Sequence, residues 1–344
     1  MARLRGGKVE TARHRTAYLE AGPANGPLMI FVHGWPGLGL IWRHQIEHFA
    51  AAGWHCVAPD MRGYGGSSTP TRIADYAVRE TTADLADLHD ALGGSPAIWV
   101  GHDWGCAPLW ALAVHQPERY RGVIALCVPY LARGMTLPNL AATVDRELYP
   151  AGIYPVGQWD YWLYHREHAG AAAAELEADV GATIATLYRR TPPIPAGKPA
   201  PFANVRERGG FFGREGRASM MPRDETMLSA DDYEAFVAAF DRTGFRGANA
   251  WYLNDINNSV FATEAPDVGR ISVPTLFVHA GRDVVCDTVN STLAEPMRED
   301  CVDLVEATID AGHSLMLEKP NALNRAISGW IRDKGYADDW KGGS

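Results

Sequence analysis

Residues 97–115 read AIWVGHDWGCAPLWALAVH and set an aspartate between two different kinds of segment. The apolar run AIWV predicts a short buried strand, and CAPLWALAVH predicts a helix. A sharp turn between a strand and a helix is where many hydrolytic enzymes hold their nucleophile, and Asp103 stands at this turn. A carboxylate with an ordinary pKa of about 3.9 is ionised at neutral pH. Asp103 could therefore attack a carbon atom unaided and form an ester on its own side chain.

Similar apolar runs recur along the chain and predict a sheet. Several are apolar without strict alternation, as in strands that are buried on both faces of a parallel sheet. Helical patterns separate these runs, which predicts an α/β fold. The runs are LMIFVHG (28–34), WHCVAPD (54–60), AIWVGHD (97–103), VIALCVP (123–129), PTLFVHAG (274–281) and DLVEATID (303–310).

The alternation of strands and helices is interrupted once. Residues 131–264 are rich in proline and aromatic residues and show helical patterns, the clearest being LSADDYEAFVAAFDRTG (228–244) with Ser229 as its predicted N-cap. We therefore predict a core formed by residues 1–130 and 265–344, with a helical cap domain inserted at 131–264. Within the cap, the many Pro and Gly residues of 191–217 predict a long loop.

The composition limits the partners that we expect. The chain has 344 residues, a net charge of −9 and 47% hydrophobic residues, which predicts a globular protein with a sizeable core. No cluster of Lys and Arg indicates a nucleic-acid partner, and the apolar stretches are too short to cross a membrane. Neither a secretory signal nor CxxC spacing among the five cysteines is apparent. We therefore expect a cytoplasmic protein without a cofactor or a metal, acting as a monomer or homodimer.

Four polar motifs each follow a predicted strand. They are HGWPG (33–37), GHDWG (101–105), AGRD (280–283) and AGHS (311–314). Open parallel sheets place their functional sites at the carboxyl ends of the strands, so these motifs should meet at one edge. The order Asp103, Asp283, His313 is the order of nucleophile, acid and histidine in α/β-hydrolases.

With these motifs the chain resembles the α/β-hydrolase-fold epoxide hydrolases, in particular the soluble ones, from about residue 8 to 335. The core motifs that carry the resemblance are HGWPG, DMRGYGGSS (60–68), GHDWG and AGH. The cap stretches are WDYWLYHREHAG (159–170) and GFRGANAWYLNDINN (244–258). The resemblance implies a mostly parallel sheet flanked by helices, with a helical cap inserted between core strands. It also implies hydrolysis of an apolar, possibly aryl, epoxide to a vicinal diol through an aspartyl ester, with water as the second substrate.

The resemblance assigns roles to individual residues. It implies Asp103 as the nucleophile, His313 as the base that activates water and Asp283 as the acid that orients His313. It implies Tyr161 and Tyr252 as the two cap tyrosines that bind the epoxide oxygen. The family places its oxyanion hole at two backbone N–H groups, which here belong to Trp35 and Trp104. One departure is present, since the family commonly continues as F-Q-x-P-G after the first cap tyrosine and this chain reads HREHAG.

The chemistry of the side chains agrees with these roles. Opening an epoxide leaves an alkoxide, to which a phenol with a pKa of about 10 can donate while it remains neutral at pH 7. The histidine can deprotonate a water that cleaves the ester, provided that a carboxylate holds it in the useful tautomer. Several tryptophans lie in or beside the motifs and predict an aromatic substrate pocket. These are Trp35, Trp104, Trp159 and Trp162, whereas Trp251 should point away from it.

Other residues compete for some of these roles. An aspartate at a strand–helix junction can serve only as an N-cap, which is a structural alternative for Asp103. The neighbours with comparable positions are Asp287 and Asp310 for Asp283, and Tyr149, Tyr154 and Tyr164 for Tyr161.

Two alternative functions are left open. A haloalkane dehalogenase shares the aspartate and the tryptophan after it. A halide leaves without a proton, however, so that site would favour Asn at the position of Trp35 and would need no tyrosine pair. A non-catalytic receptor or interaction module with this fold would normally have lost one residue of the triad, and this chain retains all three.

Overall fold

The computed structural model describes residues 3–190, 192 and 197–336. Within these residues, the strands form one sheet in the order β1-β2-β4-β3-β5-β6-β7-β8. The strands are β1 (Arg5–Glu10), β2 (Arg15–Ala21), β3 (Leu28–Val32), β4 (His55–Pro59), β5 (Ala97–His102), β6 (Tyr120–Leu126), β7 (Thr275–Ala280) and β8 (Leu304–Ile309).

Most strands of this sheet pair in parallel. β3 pairs with β4 on one side and with β5 on the other, and β6, β7 and β8 continue the parallel order. Only the pairs β1–β2 and β2–β4 are antiparallel among the described strands. Every residue of β3, β4, β5 and β7 is buried, which agrees with their continuous apolar sequences. The predicted mostly parallel α/β sheet is confirmed.

Helices connect the strands and fill the segment between β6 and β7. The α-helices of the described residues are α1 (Arg43–Ala51), α2 (Val78–Ala91), α3 (Cys106–His115), α4 (Leu137–Ala141), α5 (Asp160–Glu167), α6 (Ala169–Glu177), α7 (Val180–Leu187), α8 (Val205–Arg208), α9 (Ala230–Thr243), α10 (Arg246–Asn249), α11 (Asp255–Thr263), α12 (Glu295–Asp300), α13 (Leu315–Glu318) and α14 (Pro320–Asp333). Their 3₁₀ helices are Gly39–Trp42, Ile73–Tyr76, Asp103–Gly105, Pro117–Arg119, Gly157–Trp159, Pro201–Asn204, Gly213–Glu215, Ala250–Leu253 and Asp267–Gly269. None of the helices described here has the length and apolar character that crossing a membrane requires.

The long segment between β6 and β7 contains helices joined by turns and irregular stretches where the structure describes it. Helix α9 begins after Ser229, whose hydroxyl accepts a hydrogen bond from the N–H of Asp232 at 3.2 Å, so the predicted N-cap is confirmed. The described part of 127–274 contains no strand of the sheet, apart from a single bridge between Ile271 and Cys301. This segment includes the predicted cap, whose boundaries at 131 and 264 stay a prediction.

The predicted loop at 191–217 is more regular than its composition indicates. Residues 191 and 193–196 lie outside the described part of the chain, but 201–208 and 213–215 form short helices. Pro201 occupies the first helical position, where its missing N–H costs nothing, and Gly209 ends α8 in a left-handed conformation. The prediction of one long loop was therefore wrong for these residues, because Pro and Gly here begin and end helices.

The fold brings the four polar motifs to one edge of the sheet. The motifs follow β3, β5, β7 and β8, which run in the same direction. Their carboxyl ends therefore lie side by side, and β6 separates β5 from β7. The helical segment that leaves the sheet after β6 begins at this same edge.

Candidate active site

Asp103 lies at a tight turn that only small neighbours permit. Its φ of 52° is in the left-handed region, which is uncommon for a residue with a side chain and costs about 1–3 kcal/mol. A Cβ atom on Gly105 would approach the carbonyl oxygens of Val32 and His33 to 2.5 and 2.6 Å. A Cβ atom on Gly34 would be 2.5 Å from the backbone nitrogen of Trp104 and would also contact the Asp103 carboxylate. The glycines thus let the HGWPG loop approach the turn closely.

The two carboxylate oxygens of Asp103 have different neighbours. Oδ1 accepts the backbone N–H of Trp35 at 2.6 Å, whereas Oδ2 lies 3.4 Å from Nε2 of His313. Burial by itself raises the pKa of Asp103, but the hydrogen bond and charge of His313, together with the backbone N–H of Trp104, outweigh it and lower the pKa. Asp103 is therefore an ionised carboxylate at neutral pH.

Asp283, and neither of its two rivals, contacts His313. Its Oδ2 accepts a hydrogen bond from Nδ1 of His313 at 2.7 Å. Its Oδ1 accepts the backbone N–H groups of Val285 at 2.8 Å and Cys286 at 3.0 Å, which fix the carboxylate. The rival Asp287 instead accepts backbone N–H groups of its own turn, and Asp310 pairs with Arg282 at the surface.

His313 lies between the two carboxylates, Asp103 and Asp283. Burial favours the neutral imidazole, but the charges of Asp283 and Asp103 and their hydrogen bonds outweigh this effect and raise the pKa of His313 to about 10. The ring is thus an imidazolium at neutral pH as long as both carboxylates are ionised. His102 braces this loop, because its Nε2 lies 2.9 Å from the carbonyl oxygen of His313.

Tyr161 and Tyr252 lie close to each other and line the same cavity as Asp103. Tyr161 comes from α5 and Tyr252 from the 3₁₀ helix Ala250–Leu253, and their rings are 5.8 Å apart at 82°. Burial raises the pKa of Tyr161 and that of Tyr252 well above the ordinary value. Both phenols therefore stay protonated and can act as hydrogen-bond donors across the physiological pH range.

Asp103, His313 and both tyrosines line one cavity of about 420 Å³. Trp35 lines it as well, and so do several apolar residues that the motifs did not indicate, namely Ile41, Leu187, Phe202, Phe211, Phe212 and Val285. Phe202 and Phe211 belong to the stretch that was predicted as a loop, so no periodic pattern could assign them to the pocket. The three rival tyrosines, Tyr149, Tyr154 and Tyr164, are not among the lining residues.

Three of the four predicted pocket tryptophans lie behind the cavity wall. Trp104, Trp159 and Trp162 are at most 2% exposed and do not line the cavity, so the structure differs from the prediction for them. Trp162 donates its indole N–H to the carbonyl oxygen of Tyr252 at 2.9 Å, and Trp104 packs edge-on against the Tyr252 ring. Trp104 and Trp162 therefore position Tyr252.

The sequence HREHAG, which departs from the family pattern, places a buried histidine against Tyr252. His165 follows Tyr161 by one helical turn, is fully buried and stacks on Tyr252 with ring centroids 4.4 Å apart and planes at 10°. Neither of its ring nitrogens has a hydrogen-bond partner within the described part of the chain. Burial lowers the pKa of His165 to about 3, so the ring is neutral.

Comparison with known proteins agrees with this fold. Residues 27–320 match the alpha/beta hydrolase fold family. The chain is 35% identical over 325 residues to Epoxide hydrolase A of Mycobacterium tuberculosis, covering 93% of this chain and 94% of that protein. It is 32% identical to Bifunctional epoxide hydrolase 2 of Sus scrofa, covering 92% of this chain but 53% of that protein.

A solved structure extends the similarity to three dimensions. Epoxide Hydrolase A from Mycobacterium thermoresistibile superposes with a TM-score of 0.79 at 31% identity, covering 96% of this chain and 98% of that chain. The chain belongs to the α/β-hydrolase fold family and, within it, to the epoxide hydrolases. The family resemblance of the motifs is thereby confirmed, whereas the roles of individual site residues stay predictions.

Proposed function

We propose that the protein hydrolyses an apolar epoxide to a vicinal diol through a covalent ester on Asp103. The observation that carries this proposal is that the two carboxylate oxygens of Asp103 have different neighbours. Oδ1 is held by the Trp35 N–H at 2.6 Å, whereas Oδ2 lies 3.4 Å from Nε2 of His313, and both Asp103 and His313 line the cavity. Oδ2 is thus the oxygen that attacks an epoxide carbon, while Oδ1 becomes the carbonyl oxygen of the ester.

The tyrosines supply the acid that ring opening needs. When Oδ2 bonds to one epoxide carbon, the carbon–oxygen bond breaks and its electrons stay on the oxygen as an alkoxide. Tyr161 and Tyr252 line the cavity together with Asp103, and their raised pKa values keep them protonated as donors to this alkoxide. A departing halide would need no such donor, so the phenol pair favours an epoxide over an alkyl halide.

His313 acts in the second step. Esterification removes the negative charge of Asp103, which is one of the groups that hold the pKa of His313 near 10. The pKa then falls, and Nε2 can lose its proton and accept one from water, while Asp283 holds Nδ1 at 2.7 Å. Water attacks the carboxyl carbon, and the negative charge develops on Oδ1, where the backbone N–H groups of Trp35 and Trp104 form the oxyanion hole.

The cavity supports an apolar substrate of moderate size. Its volume of about 420 Å³ is within the usual range for small-molecule sites, and aromatic and aliphatic side chains form much of its wall. The polar groups converge on the place where the epoxide ring must lie. A terminal aryl epoxide, with its aromatic group against the phenylalanines, suits this arrangement.

Single-turnover experiments in oxygen-18-labelled water test the proposal. Aryl and alkyl epoxides and alkyl halides are incubated with an excess of enzyme, and diol and free halide are measured. We expect diol without halide, and label in Asp103 instead of in the first diol formed, because water attacks the ester carbonyl carbon. His313→Gln should consume one equivalent of epoxide and gain the mass of one substrate at Asp103.

Each competing function predicts a different result in the same experiment. Release of halide without diol would identify a dehalogenase, and no turnover by a folded protein would support a non-catalytic module. Label in the first diol, without an adduct on His313→Gln, would contradict the role of Asp103 as nucleophile.

A further inference from the structure

Two buried thiols lie beside His313 and have no part in the proposed reaction. Cys286, Asp283 and His313 each offer a ligand atom, and these atoms all lie within 4.8 Å of one another. His102, Cys127 and His313 form a second group that meets the same limit. His313 thus has potential metal ligands on two sides, and each group includes a thiol.

We propose that a thiophilic divalent cation, such as Zn²⁺ or Cd²⁺, binds to Asp283, Cys286 and His313 and inhibits the enzyme. The inhibition rests on the proposed function, because the cation can inhibit only if His313 is the catalytic base. Binding of the cation does not depend on that function. A thiolate, an imidazole and a carboxylate are the ligand types that Zn²⁺ selects in proteins. Magnesium and calcium prefer sites made of oxygen atoms and should not compete.

The ligand atoms of Asp283, Cys286 and His313 need only small movements to coordinate a cation. Tetrahedral Zn²⁺ with ordinary bond lengths separates its ligand atoms by about 3.3–3.6 Å. The Oδ2 atom of Asp283 and Nδ1 of His313 are now 2.7 Å apart and would move slightly outward. The sulfur of Cys286 lies within 4.8 Å of one ring nitrogen of His313 and one carboxylate oxygen of Asp283, so it would move inward by at most about 1.2 Å.

The cavity gives a cation access to this site. His313 lines the cavity with 17% of its side chain exposed, and Val285, the neighbour of Cys286, lines it as well. The buried carboxylate of Asp283 lies 2.7 Å from Nδ1 of His313 and supplies negative charge. A cation can therefore enter by the route that the substrate uses.

Binding of the cation would disable His313 by a definite change of protonation. The cation takes the Nδ1 lone pair and the Cys286 thiolate, so the Nδ1 proton and the thiol proton are released to solvent. Nε2 keeps its proton and has no lone pair to accept one from water. The ester on Asp103 should therefore form but persist, and inhibition should strengthen as the pH rises because protons compete with the cation.

Spectroscopy without substrate tests the site itself. Cd²⁺ is titrated into the full-length protein while the ultraviolet absorption of the cadmium–thiolate bond is recorded. We expect about one equivalent of this absorption in the wild type and in the control Cys301→Ala, which removes a buried cysteine of the β-bridge with Ile271. Cys286→Ala should lose it. The same absorption in folded Cys286→Ala would overturn the proposal, with melting temperatures verifying the fold of both variants.

Rapid-quench kinetics with an epoxide tests the inhibition. With Zn²⁺ present, the wild type should form one equivalent of ester at its normal rate, and diol release should fall at least about 100-fold. A chelator should restore release, Mg²⁺ should have no effect, and Cys286→Ala should require at least ten times more Zn²⁺. Equal sensitivity of Cys286→Ala, or a block of ester formation, would refute the mechanism. If cadmium binds as expected but the metal-free protein turns over no epoxide, the proposed function fails while the cation site stands.

Discussion

Replacing Tyr252 by Phe removes one donor to the alkoxide and leaves its ring in place. The ring stacks on His165 at 4.4 Å and packs against Trp104 at 5.1 Å, and Phe retains both contacts. The hydroxyl that is lost is deeply buried, since Tyr252 is 2% exposed, so water does not readily replace it. A hydrogen bond to a charged group contributes about 1.5–3 kcal/mol, so the rate of ring opening should fall about 10- to 150-fold.

The same change at Tyr161 should have an effect of similar size, and the double variant should be nearly inactive. Each phenol partly compensates for the loss of the other, because both donate to the same oxygen. The loss in the double variant should therefore exceed the product of the two single losses. Steady-state rates alone would obscure this pattern, so the rate of ester formation is measured by rapid quench with enzyme in excess.

Tyr154→Phe is the matched control, since Tyr154 is near Tyr161 in sequence but does not line the cavity. Its rate of ester formation should equal that of the wild type. If Tyr161→Phe keeps the wild-type rate while Tyr154→Phe is slow, the assignment of the first cap tyrosine is wrong. If ester hydrolysis slows and ester formation does not, the phenols do not act on the alkoxide.

Three further predictions follow from the geometry. Gly34→Ala should reduce the rate of ester formation about 100-fold in a folded protein, because the added methyl group displaces the Asp103 turn by about 1 Å. An unchanged rate would contradict the close approach of Gly34 to Asp103. His165→Phe should raise the free energy of unfolding by about 1 kcal/mol or more, because it removes two buried polar atoms without partners. The matched change His115→Phe should not raise it, because the ring of His115 is only partly buried. The pKa of His313 is raised to about 10 in the folded state, so its stabilising contribution is complete below about pH 6.5 and is lost as the pH rises to 10. Denaturant unfolding from pH 6 to 10 should therefore show the stability difference between wild type and His313→Gln shrinking with pH, and a constant difference would contradict the ion pairs.

The amino-acid sequence by itself determined the sheet, the order of the motifs and the turn that holds Asp103. Continuous apolar runs predict buried parallel strands. The carboxyl ends of parallel strands lie at one edge of the sheet, independently of the length and structure of the segments that connect them. The contact of Asp283 with His313 at 2.7 Å follows from this arrangement. Asp287 is further along the loop after β7, so the strand-end position separated Asp283 from it. Asp310 directly follows β8, and only the structure, in which it pairs with Arg282, separated Asp283 from it.

Only the tertiary structure decided which side chains face the cavity and how the charges interact. The indole of Trp162 turns away from the cavity because it donates to the backbone of Tyr252, which is 90 residues distant in the chain. Phe211 enters the cavity from a stretch without any periodic pattern. The pKa of His313 depends on two carboxylates that long segments separate from each other. Local sequence patterns indicate which face of a strand or helix is apolar. The packing of segments that are distant in sequence determines which way a side chain points and the electrostatic environment of a buried charge.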